Sequence, residues 1–385
     1  MQFKFFSSTQ IVFGPGKLNS IGGIAREYGK RALIVFGCPK PITDQLTDLL
    51  ETNGISCSRV KIEHEPTVDS IGKLVDLSRQ FSPDLVIGIG GGSALDSAKS
   101  MAVLITNSGE LLDYLEVIGK GEPFLSPPLP LITIPTTAGT GAEVTKNAVL
   151  GSIKHLVKVS LRSTYLFPKI ALVDPELTIS LPPDITAYTG LDALTQLIET
   201  YTCIEPNPLV DSLCRDGIQR IAQSLYQVFD NGKDLQFRED MSLASLFSGI
   251  SLANAKLGAV HGLAGSIGGE IPAPHGAICA CLLPNVMEIN IAAVNEQLSG
   301  HPVLDRYNNV GKILCNHPDA SATDGMEWIR EFCLHAKIPP LSAYGLTEQK
   351  ISKIIDKAKI ASSMKGNPIT LSDVELRNIL HKSLS

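Results

Sequence analysis

Three stretches of this 385-residue chain carry residue types and spacings that could do chemistry. The first is LVIGIGGGSALD, Leu85 to Asp96, where glycines sit between an apolar run and a helical pattern. Without Cβ atoms the backbone can approach a phosphate closely, and the free N–H groups of a helix start favour an anion. The same stretch also suits a plain tight turn, and it departs from the ordinary dinucleotide fingerprint. The second is PTTAGTGAEVT, Pro135 to Thr145, in which four threonines and two glycines follow the apolar run Leu131 to Ile134. Hydroxyls and amides at the carboxyl end of a parallel strand are placed to hold ribose and phosphate. A turn rich in hydroxyl residues is the plainer reading.

The third is spread over the second half: GLDALTQ (Gly190 to Gln196), GAVHGLAG (Gly258 to Gly265) and APHG (Ala273 to Gly276). Asp192 and Gln196 stand one helical turn apart on one face. Asp192, His261 and His275 give one carboxylate and two imidazoles, a mixed oxygen and nitrogen set suited to Zn²⁺ or Fe²⁺ with positions open for water or a substrate oxygen. A histidine in an apolar helical stretch is also an ordinary core residue, so these residues by themselves leave both readings open.

Such groups need a scaffold, and the first half is punctuated by apolar runs: Ala32 to Phe36, Val60 to Ile62, Leu85 to Ile89, Leu131 to Ile134 and Ile170 to Val173. Most are rich in Val, Ile and Leu without alternation, as parallel strands buried on both faces require. Val60 to Ile62, interrupted by Lys61, is placed nearer an edge. Helical patterns at Ile42 to Thr52 and Ala94 to Thr106 fall between the runs, which predicts an α/β fold with a Rossmann-like parallel sheet. Phe3 to Phe13 is expected to add a hairpin at an edge. From Pro182 onward strand-like runs nearly vanish, and Ile185 to Thr202, Leu209 to Asp230 and Phe237 to Ala255 carry helical spacing, so an all-helical domain follows. Ser180-Leu181-Pro182-Pro183-Asp184 marks the seam: consecutive prolines cannot continue a strand, and Asp184 suits an N-cap. The expected domains are residues 1–181, α/β and nucleotide-binding, and residues 182–385, helical, for metal and substrate.

Composition limits the function classes. With 44% hydrophobic and 19% charged residues and a net charge of −6, the chain has no electrostatic reason to bind nucleic acid or an anionic membrane. No segment offers 18 uninterrupted apolar residues, and the N-terminus has no apolar signal core, so export and membrane spanning are not expected. The eight cysteines are scattered, some inside apolar runs, as reduced core thiols of a cytoplasmic protein are. Cys279 and Cys281 form only a CxC with no second pair at zinc spacing, and they too read as core thiols.

GGGSALDSAK, PTTAGTGAEVT, ALVDPELT (Ala171 to Thr178), GLDALTQ, LANAKLGAVHG (Leu252 to Gly262) and PHG, in this order, resemble the iron-containing alcohol dehydrogenases. The likeness runs from about Phe13 to SSMKGNPI, Ser362 to Ile369. It implies an active site in a cleft between the two domains, and hydride transfer between NAD(P) and a small alcohol or aldehyde. A homo-oligomer, dimer or larger, is implied as well. Carried over residue by residue, Gly91, Gly92 and Ser93 match the pyrophosphate loop, and Asp96 the acidic residue beside the nicotinamide. Thr136, Thr137 and Thr140 match the second nucleotide loop. Val149, Lys158 and Leu177 match further cofactor contacts, Lys158 toward ribose hydroxyls. Asp192, His261 and His275 match three of the four ligands of a divalent metal, Fe²⁺ or Zn²⁺, and His275 and Asp96 are the candidate catalytic residues.

Two departures from the family pattern bear on function. Gln196 stands where the family's DALTH has its fourth ligand, a His, and Gly265 where the family has a further His. Gln can coordinate only through a neutral amide oxygen, a weaker donor than imidazole. Glycerol dehydrogenases of the same superfamily hold Zn²⁺ with one Asp and two His, so three ligands suffice there. Without a His at position 265 the proton path falls to His275, cofactor ribose hydroxyls or ordered water. Members selective for NAD carry Asp after the first buried strand, where this chain has Gly37; Lys40 is near enough in sequence to attract a 2′-phosphate, while Glu65 could take a ribose hydroxyl. Use of NADP(H) is therefore allowed beside NAD(H). The rival reaction is reduction of an oxo-acid, metal-free as in the related maleylacetate reductases, with Arg162 as a candidate cation. A lyase of the dehydroquinate synthase type fits the DALTQ and PTTAGTGAEVT motifs poorly. A nucleotide-binding protein without activity has only Gln196 and Gly265 in its favour.

Overall fold

The computed structural model describes residues 2–6, 9–116, 118–152, 154–155 and 157–385. They fall into two compact units: Ser7–Thr137 with Gly141–Ile179, and Ser180–Ser385 with Met1–Phe6 and Ala138–Thr140.

The first unit contains strands β1 (Gln10–Phe13), β2 (Arg31–Gly37), β3 (Ser56–Lys61), β4 (Leu85–Gly90), β5 (Leu131–Pro135), β6 (Asn147–Ser152), β7 (Val157–Arg162) and β8 (Ile170–Val173). Six of them form a parallel sheet in the order β1-β8-β5-β4-β2-β3. The central strands are continuously apolar because both faces are covered. Leu33, Val35 and Val86 pack on one side with Ala98 and Met101, and Ala32, Ile34 and Ile87 on the other with Leu46 and Leu50. β3 closes one edge, in keeping with the interrupting Lys61.

β1 closes the other edge, but not as a hairpin. It pairs in parallel with β8, Gln10 opposite Ile170 through Phe13 opposite Val173. The expected first arm is engaged elsewhere: Met1–Phe6 belongs to the helical unit, where the Phe6 N–H donates to Asn254 Oδ1 and Asn254 Nδ2 donates to the Phe6 carbonyl. The antiparallel ribbon of β6 and β7 was missing from the sequence reading. Its signal is the alternation in Val157-Lys-Val-Ser-Leu-Arg162, where Val159 and Leu161 are buried.

In the second unit, helices Pro183–Thr202, Pro208–Asp230 and Leu235–Asn254 stand where the periodicity places them, followed by Ala259–Ile267 and His275–Gln297. Asp184 is not the N-cap of the first: Pro182 holds that position, Pro183 is the first helical residue and Asp184 lies in the first turn. A proline's fixed φ and missing N–H suit the start of a helix, so it begins before the aspartate, whose charge still favours the positive end of the dipole. Leu191, Leu194, Ile198, Ile218 and Leu263 form part of one core, each contributing about 1.5–3 kcal/mol by burial. Among the described residues, the one single helix long and apolar enough to cross a membrane is His275–Gln297, 72% of whose apolar window is buried in the protein.

Candidate active site

The carboxyl ends of β2, β4 and β5 lie side by side, with Gly37 opposite Gly90 and Gly90 opposite Pro135. Gly90 has φ +144°, and a Cβ there would lie 2.8 Å from Ala94 Cβ and 3.0 Å from the Gly37 nitrogen. Glycine is therefore required for the strand to turn into the helix Gly92–Leu104, with Gly91 at the N-cap. The N–H groups of Ala94 and Leu95 bond to the Gly91 carbonyl, which leaves those of Gly92 and Ser93 without intrahelical acceptors. The Thr136 N–H donates to the Gly90 carbonyl at 3.0 Å, and a Cβ on Gly91 would meet Thr137 Cγ2 at 3.4 Å. The glycine and threonine loops thus form one edge bearing Gly91, Gly92, Ser93, Thr136 and Thr137. Thr140 departs from this group: Ala138–Thr140 belongs to the helical unit, where the Gly139 carbonyl accepts from Ser248 Oγ.

Asp96 is tied into the same unit. Its Oδ2 accepts from the Val149 N–H at 2.9 Å and its Oδ1 lies 3.4 Å from Lys99 Nζ. Lys99 is fully buried and also donates to Thr145 Oγ1 and the Asn147 carbonyl. Burial is the largest influence on both, raising the Asp96 carboxyl and lowering the Lys99 ammonium from their ordinary values. Lys158 on β7 pairs with Glu65 at 2.6 Å, so the two residues assigned to ribose hydroxyls meet each other. Gly37 is exposed at the end of β2, and the Lys40 ammonium pairs with Asp44 one turn along its own helix. Leu177 is buried in the short helix Pro175–Thr178 after β8. Arg162 lies 3.8 Å from Glu116.

In the helical unit Asp192 and Gln196 project from Pro183–Thr202, His261 from Ala259–Ile267, and His275 opens His275–Gln297. Asp192 Oδ1 lies 3.4 Å from His261 Nε2 and 3.6 Å from His275 Nε2. Asp192 Oδ1, Gln196 Oε1 and His261 Nε2 are buried side-chain atoms without a hydrogen-bond partner. Such atoms are costly unless something else satisfies them. Cys279, one turn after His275, completes a cluster with Asp192, His261 and His275 whose donor atoms all lie within 4.8 Å of one another. It is buried, as a core thiol should be, yet its sulfur lies 3.7 Å from His275 Nε2. In the sequence Cys279 belongs only to a lone CxC with no second pair at zinc spacing, because the other donors are not cysteines and two of them stand on other helices.

Glu199 is the second residue that the sequence reading passed over. It sits seven residues after Asp192 on the same helix, and its Oε2 is 2.6 Å from His261 Nδ1. Its Oε1 accepts from the N–H groups of Val260 and His261, while Asn367 Oδ1 accepts from that of Ala259. Two side chains from outside the helix thus cap Ala259–Ile267, whose own N-cap, Gly258, has none. A Cβ on Gly258 would stand 3.0 Å from both Glu199 Oε1 and Asn367 Oδ1. The Glu199 carboxylate fixes which imidazole nitrogen faces Asp192. At Gly265 a Cβ would meet nothing within 4 Å, so that face of the helix is open.

The electrostatics follow from burying charge. Burial works against a proton on His261, but Glu199 and Asp192 outweigh it and raise the imidazole to about 10. For Asp192 burial is again the largest single influence and pushes up, yet the His275 charge and the His261 contacts together hold the carboxyl below its ordinary value. The Cys279 thiol is pushed well above its ordinary value by burial and then by Asp192 and Glu199.

The family model of iron-containing alcohol dehydrogenases matches residues 8–175, and the model of the family's C-terminal domain matches residues 186–384. The chain belongs to the iron-containing alcohol dehydrogenase family. It is 33% identical to long-chain-alcohol dehydrogenase 1 of Geobacillus thermodenitrificans, over 97% of this chain and 96% of that one. With the NADPH-dependent butanol dehydrogenase of Clostridium saccharobutylicum it shares 30% identity over 98% and 96%. Its fold is that of the sulfoacetaldehyde reductase of Bifidobacterium kashiwanohense, solved in complex with NAD⁺, at a TM-score of 0.87 and 27% identity over 100% and 99% of the chains. As a member of this family the protein is an oxidoreductase for alcohols and aldehydes, working with NAD(P) and a divalent metal.

Proposed function

We propose that the protein interconverts a small alcohol and its aldehyde, with Fe²⁺ or Zn²⁺ held by Asp192, His261 and His275 and approached by the amide oxygen of Gln196. The observation that carries this reading is the convergence of buried donor atoms without partners. The separations of 3.4 and 3.6 Å also suit a small cation: bonds of about 2.0–2.3 Å around a tetrahedral ion put neighbouring donors roughly 3.5 Å apart. A bound divalent ion supplies Lewis-acid polarisation of the substrate oxygen, and the nicotinamide supplies or accepts the hydride.

The chain's own groups do the rest. Asp192 brings the negative charge that balances the cation, and Glu199 orients His261 toward it. His275, whose side chain is 35% exposed, is the most open of the donors and the residue through which a proton can pass to solvent. The N–H groups of Gly92 and Ser93, with Gly91, Thr136 and Thr137, suit the pyrophosphate. Thr140, Val149, Lys158 and Leu177 are the further cofactor contacts, Asp96 the carboxylate beside the nicotinamide, and Gly37 leaves room for either NAD or NADP. The eight unpaired thiols suit the reducing cytoplasm, and a homo-oligomer, dimer or larger, completes the proposal. The metal-free oxo-acid reading needs a free cation, and Arg162 faces Glu116. Turnover of an aldehyde panel with NADH and NADPH, alongside metal analysis of the same sample, tests this function. Aldehyde reduction by metal-loaded protein is expected; reduction confined to oxo-acids by metal-free protein would overturn it.

A further inference from the structure

Gln196 removes an imidazole from the donor set, and another side chain has come within reach of the same space. Cys279 Sγ lies 3.7 Å from His275 Nε2 and within 4.8 Å of every other donor atom of the cluster. Its placement follows from the helix it shares with His275, since positions i and i+4 stand on one face. Cys279 has no exposed surface, and the neighbouring Asp192 Oδ1 and His261 Nε2 are both buried without hydrogen-bond partners. Cys281, two residues on, turns away from the cluster, its thiol reaching the Pro339 carbonyl at 3.2 Å.

We propose that Cys279 is a ligand of the catalytic metal, giving an Asp192, His261, His275 and Cys279 donor set that selects zinc. The inference rests on the metal-assisted reading above. On binding, the thiol proton leaves to solvent and the sulfur coordinates as thiolate. A thiolate is a soft donor that favours zinc over the harder divalent ions, whereas the amide oxygen of Gln196 is hard and neutral. Losing an imidazole at one position is thus offset by gaining a sulfur at another.

Cobalt(II) is the probe, because a thiolate on Co²⁺ gives a sulfur-to-metal charge-transfer band in the near ultraviolet that oxygen and nitrogen donors do not give. The chelated full-length protein is loaded with Co²⁺ alone and its absorption spectrum recorded beside Cys279→Ser, Cys281→Ser and Gln196→Ala. The band is expected in the unsubstituted protein, in Cys281→Ser and in Gln196→Ala, and its loss is expected in Cys279→Ser. Zinc affinity of Cys279→Ser, by chelator competition, should fall roughly tenfold or more. Cobalt bound stoichiometrically to the unsubstituted protein without the band overturns Cys279 as ligand and leaves the metal reading standing. No cobalt bound at all overturns both. The spectrum of the unsubstituted protein decides the point even where a variant fails to fold.

Discussion

At the sheet edge of the α/β unit the groups offered to a ligand are backbone amides, left accessible because Gly90, Gly91 and Gly92 carry no side chains. In the helical unit they are side-chain atoms, Asp192 Oδ1, Gln196 Oε1 and His261 Nε2, buried and held by further side chains such as Glu199. The first arrangement presents dipoles to an anion that arrives with its own charge. The second gathers buried polar atoms without hydrogen-bond partners, where leaving them unsatisfied is costly. On the proposed function each unit serves one partner, and substitutions in the two should separate cleanly.

The largest separation is expected at the imidazoles. His261→Ala or His275→Ala should weaken metal binding more than about a hundredfold, beyond what loss of an orienting partner costs, and remove most turnover. NAD(P)H affinity should change by no more than about twofold, as for independent sites. Equal loss of nucleotide affinity by titration would break the comparison and make the histidines structural.

Glu199→Gln comes next, with metal affinity falling about 10- to 100-fold. It also carries a pH signature. The raised His261 value, about 10, means that metal must displace a proton there at neutral pH, so this residue contributes about a tenfold climb in affinity per pH unit toward that value. In Glu199→Gln the climb should level off at lower pH, because one of the two carboxylates that hold the proton is gone. The same linkage gives the metal-free protein stability that is full below the ordinary imidazole value of 6.5 and lost as pH rises toward 10. An unchanged affinity profile would mean that Glu199 caps the helix without tuning His261.

What the sequence disclosed tracks this difference between units. Backbone sites need glycine at fixed local positions, so GIGGGS after an apolar strand was legible from the residues alone as a strand-to-helix turn with open amides. The donor cluster draws on three helices, and the separations 192, 261 and 275 have no local pattern; only the likeness to a family joined them. Glu199 and Cys279 act through contacts at helical spacing from residues already singled out, i+7 from Asp192 and i+4 from His275. That signal was present, but only the fold says which face is inward. The edge hairpin failed for a related reason, since pairing of Phe3 to Phe13 depends on where Met1–Phe6 is held.

Smaller effects sharpen the α/β side. Gly91→Val puts a branched side chain against Thr137 and should weaken NAD(P)H binding about tenfold, ~1.4 kcal/mol, with metal content unchanged by elemental analysis. Gly37, exposed where a carboxylate would repel a 2′-phosphate, predicts kcat/KM with NADPH within about tenfold of that with NADH. A hundredfold preference for NADH would show that Glu65 or another group supplies the discrimination.

Chelation tests the division of labour most directly. Removing the metal from the unsubstituted protein should abolish aldehyde reduction while leaving the NAD(P)H dissociation constant within about twofold, and stoichiometric Zn²⁺ or Fe²⁺ should restore turnover. Undiminished turnover in protein shown by elemental analysis to hold no metal would contradict the account.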